Sequence, residues 1–498
     1  MAVKSKEKEK VKNKKVNPDI QETKKVLKKK KVAAESAEFF DAYEELDSML
    51  DTMEKHENLS AGSTQKVKIS TGLLVLDLIL GGGLTTGSWV TFFGGEQSSK
   101  STLSMAQLAQ AAIEDLIKVL MYFDFEGSYS GEYMMAIAKS LGYKGDITDL
   151  FGIQDDEGNY VKKPRIRRYS ASVAEKFFNM VYRLEKSLPD KLYKKGKWWF
   201  VYDDTKENAK YKKHANAKLL QKTKRIWIEA PNDAPQALIV VDSYPAMLPE
   251  KMDDEDGKNG IGAQARMFSE QLKRIKGRME AKGIIIMGIN QLREKPMVMY
   301  GSPTYEPGGQ ALKFFSDVRL QMASRAAPQG EPRKKNSSNF VEEPSIEHSG
   351  CLDTYRYVNV KAVKNKLSSG SDMDCWLRIW VRDGEGQARG YDPVWDTAEF
   401  LRSIGVMTGS RDKLVIQWDK LKIKGLEGKQ KMKWVTFKKL VSGDKKRVLK
   451  VLAEMGYDGK AFNLRKKLFE LVKSKKAQKM YFETISNKAK EESDDSDE

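Results

Sequence analysis

Nine consecutive residues, Gly94 to Thr102 (GGEQSSKST), combine what a phosphate-binding loop requires. Glycines let the chain turn tightly, the N–H groups of the loop and of a following helix point at an anion, and Lys100 adds positive charge. Ser101 supplies a hydroxyl suited to Mg2+. The usual pattern has glycine before the lysine; here Ser99 stands there, which calls for either an unusual backbone conformation or a slightly different loop. A Gly/Ser turn followed by a surface lysine is the other reading of this stretch. Nucleotide hydrolysis also needs an acid for the metal and a group that orients or activates water. LIVVDS places Asp242 at the end of an apolar run, and MYFDFEG puts Glu126 just beyond another. Either acid alone also reads as a strand-end cap. Together with the loop, in this order, they form the residue set of a Mg2+-dependent ATPase. His56, His214 and His348 are scattered, and Cys351 and Cys375 form no metal-ligand spacing, so a histidine triad, a zinc site or a disulfide is not indicated.

These residues need a frame that brings strand ends together. From Lys68 to Asn290 the chain alternates between strand-like and helical patterns. Trp89–Phe93, Val119–Phe125, Arg165–Tyr169, Ala237–Val241 and Ile284–Ile289 read as strands, and Met105, Leu108, Ala109, Ala112, Ile113 and Leu116 mark a helix face. Such alternation predicts a mostly parallel sheet covered by helices, with the ligand site at the carboxyl ends of the strands. Val318–Met322, Tyr355–Val363 and Trp376–Val381 read as further strands. A polar stretch, Ala326–Ser349, reads as a flexible loop.

The 498 residues carry a net charge of +18 that is unevenly placed. Met1–Val32 has 13 lysines against 4 acids, Lys186–Arg225 has 13 basic residues against 4 acids, and the rest is neutral. Two basic segments on a balanced body read either as appended polyanion contacts or as solvated tails. No apolar run approaches the ~20 residues that span a bilayer, and the lysine-rich start lacks a signal-peptide core, so a soluble, cytoplasmic protein without membrane partners is expected.

Residues 1–32 read as a disordered basic tail. Phe39, Tyr43, Leu46, Leu50 and Met53 then form one apolar helical stripe that needs a partner surface, within residues 33–67. The basic insertion, about 186–230, mixes lysines with Trp198, Trp199, Phe200, Tyr202, Tyr211 and Trp227. It reads as a buried strand of a small subdomain, or as a platform for single strands. Beyond Asp392 a lysine-rich segment with helical runs Val448–Met455 and Leu464–Val472 is expected as a separate small domain, 393–490. An acidic disordered tail, 491–498, follows.

Several segments carry a family resemblance: KISTGLLVLDLILGGGLTTGSWVTFFGGEQSSKST, MYFDFEG, LIVVDS, GINQLR, GGQALKFF and VKNK. In order and spacing they resemble the bacterial RecA recombinases, and the chain looks like a bacteriophage member of that group. The resemblance covers roughly Lys68–Asp392. It implies an α/β fold: a RecA-like P-loop ATPase core (68–392) with a mostly parallel central sheet, an N-terminal oligomerisation helix and a small C-terminal α/β domain. It implies ATP and Mg2+ as cofactors, bound by Gly94, Gly95, Glu96, Gln97, Ser98, Ser99, Lys100, Ser101 and Thr102, with Tyr133 stacking on adenine. Ser101 and Asp242 would serve the metal and Glu126 would be the catalytic carboxylate. Gln291 would sense the γ-phosphate, and Lys364 and Lys366 would reach it across a subunit interface.

By the same resemblance, Asp253–Gly262 and Arg293–Gly309 are DNA-binding loops. Arg266, Ser269, Lys273, Arg293, Gly308, Gly309 and Gln310 would contact phosphates, and Met299 and Tyr300 would lie near stretched base steps. Lys273 stands where the family usually has arginine and Pro296 where it has a flexible aliphatic residue, which changes bidentate contacts and loop geometry. The implied activity is DNA-dependent ATP hydrolysis with homologous strand exchange. The implied partners are single- and double-stranded DNA, further copies in a helical filament, and single-strand-binding and mediator proteins. A RecA-fold ring helicase and an ATP-switched DNA-binding scaffold are the alternatives.

Overall fold

The computed structural model describes residues 66–494 apart from breaks at 171, 215, 221–223, 251–261, 295–303, 326–327, 329–339, 346–349, 369–371, 388–389, 424–425, 443–444, 457–462 and 475. The basic tail and the Phe39–Met53 stripe lie outside the described residues.

The apolar runs become β1 (Trp89–Gly94), β2 (Val119–Asp124), β3 (Ile166–Ser170), β4 (Ala237–Asp242), β5 (Ile284–Gln291) and β6 (Val318–Arg325). They lie parallel in the order β3-β2-β4-β5-β1-β6. Beyond β6 the sheet turns antiparallel with β7 (Leu352–Asn365), β8 (Asp374–Arg382) and β9 (Gly390–Tyr391). The connecting helices are α1 (Lys100–Glu114), α2 (Gly131–Ser140), α3 (Ala174–Ser187), α4 (Ala263–Lys282) and α5 (Gly309–Phe315). Every residue of β4, ALIVVD, is buried because helices cover both faces. Leu238 and Val240 join one apolar cluster with Leu103 and Leu108 of α1, whereas Ile239 and Val241 join another with Phe177 of α3 and Phe268 of α4. That is the period-2 alternation of a strand.

Since the six strands are parallel, their carboxyl ends align. Asp124 lies opposite Asp242, and Gln291 and Met322 flank Gly94. Loops leaving this edge can place several side chains around one ligand.

Three expectations change. The segment expected as a flexible loop, 326–349, contains an edge strand, Phe340–Pro344, paired antiparallel with β7. The C-terminal segment is not set apart by its own core: Phe400, Leu440, Val448, Leu464 and Tyr481 belong to the same apolar cluster as Leu74, Leu76 and Ile79. A buried ion pair reinforces this union. Arg465 binds Asp396 (2.8 Å), and Asp396 accepts the N–H groups of Leu74 (3.0 Å) and Val75 (3.2 Å) at the start of helix Leu74–Ile79. Finally, the terminal helix Lys476–Asp494 runs into the acidic stretch expected as a disordered tail, and residues 495–498 lie outside the described residues.

The insertion folds as a four-stranded antiparallel sheet in the order Ala217–Leu220, Arg225–Glu229, Lys197–Asp203, Asp190–Lys194. Its aromatics lie in strands, as the apolar pattern suggests, yet Trp198, Trp199, Phe200 and Tyr202 are only half-buried. Lysines cover rings instead: Lys194 over Trp227 (5.2 Å), Lys218 over Trp199 (4.9 Å) and Lys210 over Tyr211 (5.1 Å). Lys191 donates to the Ala234 carbonyl, and Lys282 at the end of α4 pairs with Asp190 (2.9 Å). These contacts hold the insertion at the amino-terminal edge of the parallel strands.

Candidate nucleotide and DNA site

The phosphate loop leaves β1 at Gly94, where a Cβ would stand 2.0 Å from the Met322 carbonyl oxygen. Only glycine lets β6 run so close. Ser99 adopts the left-handed conformation (φ 65°) and α1 begins at Lys100. The loop therefore keeps the geometry that glycine usually supplies, with serine bearing the strain. Lys100 is buried, and its ammonium donates to the carbonyls of Gly95 (2.6 Å) and Gly94 (3.2 Å) and to Ser98 Oγ (3.1 Å). Burial pulls its pKa down, opposed by the negative charges of Asp242, Glu126 and Glu96.

Asp242 ends β4, is buried, and accepts from Tyr122 Oη (2.6 Å) through Oδ2. Burial raises its pKa, while hydrogen bonds from Tyr122 and Ser101 lower it. Its Oδ1 is buried with no hydrogen-bond partner. An unsatisfied carboxylate oxygen beside the Ser101 hydroxyl fits a hard cation that takes few protein oxygens.

Glu126 lies two residues beyond β2 and is exposed. Its turn is built by buried Asp124, which accepts the N–H groups of Gly127 (2.8 Å) and Ser128 (3.3 Å) and pairs with Arg168 (2.9 Å). Ser243 Oγ and Gln291 Nε2 (2.9 Å) both donate to Glu126 Oε1. Tyr133, in the first turn of α2, shares a hydrogen bond with Thr102 Oγ1 (2.9 Å). Glu96–Thr102, Glu126, Asp242, Gln291 and Arg356 line a cleft of about 480 Å³.

Lys364 and Lys366 are not brought to this cleft. Lys364 lies opposite Arg319 at the amino end of β6, and its ammonium donates to the carbonyls of Lys313 (2.6 Å) and Phe314 (3.0 Å) at the end of α5. Partial burial, then the charges of Lys366 and Arg319, lower its pKa to about 8, with Asp317 opposing. Lys366 lies 5.6 Å from the centre of the Phe314 ring, which is 69% exposed.

Arg266, Ser269 and Lys273 recur along one side of α4, with Arg266 and Lys273 exposed, while Phe268, Leu272 and Ile275 bury the other side. Gly308 and Gly309 have positive φ, and a Cβ on Gly309 would lie 2.7 Å from Ala265 Cβ, so they let α5 start against the first turn of α4. Gln310 is exposed beside them. Arg293 pairs with Tyr305 in a two-stranded ribbon that closes the base of the second loop. The loop tip with Pro296, Met299 and Tyr300, and the first loop up to Ile261, lie outside the described residues. A hydrogen-bonded chain joins ribbon and cleft. Gln291 binds Glu126, and the adjacent Asn290 donates to Glu306 (3.4 Å) and to the Pro307 carbonyl (3.2 Å), just before Gly308.

Comparison with known proteins fits this arrangement. Residues 232–344 match the RecA N-terminal domain, and residues 63–150 match Rad51. Protein RecA of Aquifex aeolicus is 28% identical over 353 residues, covering 70% of this chain and 74% of the relative. Protein RecA of Thermus aquaticus is 28% identical over 371 residues, covering 73% and 81%. These matches support a RecA-type recombinase. RecA-type proteins are DNA-dependent ATPases, and the large, mostly parallel central sheet described above fits a RecA-like core. Sequence reading missed Asp124, Ser243, Asn290 and Arg356. Asp124 and Ser243 sit beside acids already singled out, whereas Arg356 reaches the loop across 257 positions. No helix among the described residues is long and apolar enough to cross a membrane.

Proposed function

We propose that the protein polymerises on single-stranded DNA with ATP between protomers and exchanges that strand with a homologous duplex. One observation carries this reading: the phosphate loop and the Lys364/Lys366 pair occupy opposite ends of one sheet. On this reading the lysines serve a neighbouring chain's loop rather than their own. Exposed Phe314 beside these lysines supplies apolar contact area for a neighbour.

Within the cleft, loop N–H groups and Lys100 bind phosphates, and Ser101 and Asp242 hold Mg2+. Bound there, the cation would neutralise charge developing on the phosphates. Glu126, pinned through Oε1 by Ser243 and Gln291, offers Oε2 to a water as base. A γ-phosphate competing for the Gln291 amide breaks its bond to Glu126, and Asn290, Glu306 and Pro307 carry the shift to the second DNA loop. Arg266, Ser269, Lys273, Arg293, Gly308, Gly309 and Gln310 then grip phosphates of any sequence, leaving identity to base pairing.

The insertion adds duplex contacts. α4, with 20 residues, separates it from the first loop by about 30 Å, so it serves a second nucleic acid rather than the gripped strand. Single-strand-binding and mediator proteins complete the partners, in a host cell's cytoplasm.

Electron microscopy with single-stranded DNA and a slowly hydrolysed ATP analogue should show continuous helical filaments; closed rings would favour a helicase. Strand exchange should proceed with homologous and not heterologous duplex. Glu126→Gln should abolish DNA-stimulated turnover while retaining filaments. Filaments that fail to exchange homologous DNA would reject the recombinase reading.

A further inference from the structure

Ser99 is both strained and occupied. Its left-handed backbone would suit glycine, yet its Oγ accepts a hydrogen bond from Arg356 Nη2 (2.7 Å). The fold makes the contact available because β7 runs antiparallel to β6, so its first half overhangs the edge where the phosphate loop emerges. Met322 of β6 lies beside Gly94, and three residues later Arg325 lies opposite Tyr357. Arg356, the next residue along β7, reaches over the loop and borders the 480 Å³ cleft with Glu96, Lys100 and Gln291.

This guanidinium has no carboxylate counter-ion among the described residues, and its Nε is buried without an acceptor. A guanidinium carries five donors. One rests on a neutral hydroxyl, and one buried donor is unused. The guanidinium's remaining terminal donors are left for a charged acceptor arriving in the cleft. By contrast, the Lys100 ammonium already holds three oxygens of its own loop.

We propose that Arg356 is a second phosphate-binding cation of the nucleotide site, supplied by the same protomer as the loop, with the Ser99 hydroxyl as its docking point. The ligand class is a nucleoside di- or triphosphate. The contact is to phosphate, since the guanidinium is already seated on the loop residue preceding Lys100. The proposal also accounts for a serine at a strained position: the hydroxyl fixes the guanidinium over the loop before the nucleotide arrives, so less freedom is lost on binding. It rests on the nucleotide-site reading above.

The test is calorimetric titration of ATP, ADP and adenosine into the full-length native protein, Arg356→Gln, Ser99→Gly and the double variant, with melting curves confirming that each is folded. Arg356→Gln should weaken ATP and ADP about ten- to a hundredfold and leave adenosine unchanged. A smaller loss in the same direction should appear when Arg356→Gln is introduced into the Ser99→Gly background, where the guanidinium has lost its docking point. Arg356→Lys should recover part of the affinity. If Arg356→Gln costs affinity only while Ser99 is present, the arginine merely props the loop and the proposal fails. Equal ATP affinity in native protein and Arg356→Gln would also overturn it. A native protein that binds no nucleotide would instead refute the nucleotide site itself.

Discussion

Lys194, Lys195, Lys206, Lys210, Lys213 and Lys218 of the insertion are all exposed. They have no carboxylate partner among the described residues, because the nearby acids Asp190, Asp203, Asp204 and Glu229 pair with Lys282, Arg225, Lys212 and Lys197. Replacing these six lysines with glutamine removes charge while keeping the sheet. If each neutralises one duplex phosphate, the log-affinity versus log-salt slope should become shallower by about five. Between 50 and 200 mM salt, that slope corresponds to about three decades of duplex affinity. Three of the lysines also cover aromatic rings, so the substitutions should lower stability by about 0.5–1 kcal/mol for each ring left without its ammonium. Circular dichroism and melting control for that. Fluorescence anisotropy with a labelled duplex at several salt concentrations measures the slope, and ATP turnover on single-stranded DNA should stay at the native rate. An unchanged slope in a folded variant would remove the insertion from DNA binding.

Other perturbations follow from named interactions. Asn290→Ala cuts the link between Gln291 and the Glu306–Pro307 segment, so single-stranded DNA should lose most of its stimulation of ATP turnover while the DNA-free rate persists, in a coupled-enzyme assay. Arg465→Leu leaves Asp396 buried without its cation and should cost about 3–5 kcal/mol in urea unfolding. Adding Asp396→Asn should recover part of that loss. Asp77 is fully buried, and desolvation lifts its pKa to about 7 against hydrogen bonds from Ser70 and Thr71. The folded state then holds a proton that the unfolded chain releases near pH 4, so this group's stabilisation is complete at low pH and is lost as pH rises to 7. Asp77→Asn should therefore flatten the stability profile between pH 4 and 7 by up to about 1.4 kcal/mol per pH unit.

The four central parallel strands were legible because a strand buried on both faces is almost uniformly apolar, as in ALIVVD and IIIMGI, while the flanking strands IRRYS and VRLQMASR carry polar residues between their apolar ones. Asp242 was legible as the first charge after an apolar run, whereas the first charge after MYF is Asp124, and Glu126 stands two residues beyond it. Polarity alone did not reveal the Phe340–Pro344 edge strand, whose pairing with β7 depends on backbone hydrogen bonds rather than on an apolar face. The union of the C-terminal segment with the core was hidden for a different reason. Leu464 and Leu468 announce a helix with an apolar face but not the surface it meets, and Leu76 lies nearly four hundred positions away. Arg356 was hidden in the same way, since a polar residue in an alternating strand reads as solvent-facing until the neighbouring loop is placed.

β7 has a consequence for how a polymer of this chain would behave. It is one continuous strand paired with β6 and β8, with one irregularity against β6 between Ala362 and Lys364, and the stretch from Arg356 to Lys364 measures about 26 Å. One end touches the protomer's own phosphate loop, and the other carries Lys364, which in the proposed filament would serve the adjoining molecule. Such a strand acts as a strut of fixed length. In the proposed filament, a displacement imposed at one nucleotide would be passed along this strand to the next, and turnover at successive interfaces would acquire an order and a direction along the polymer.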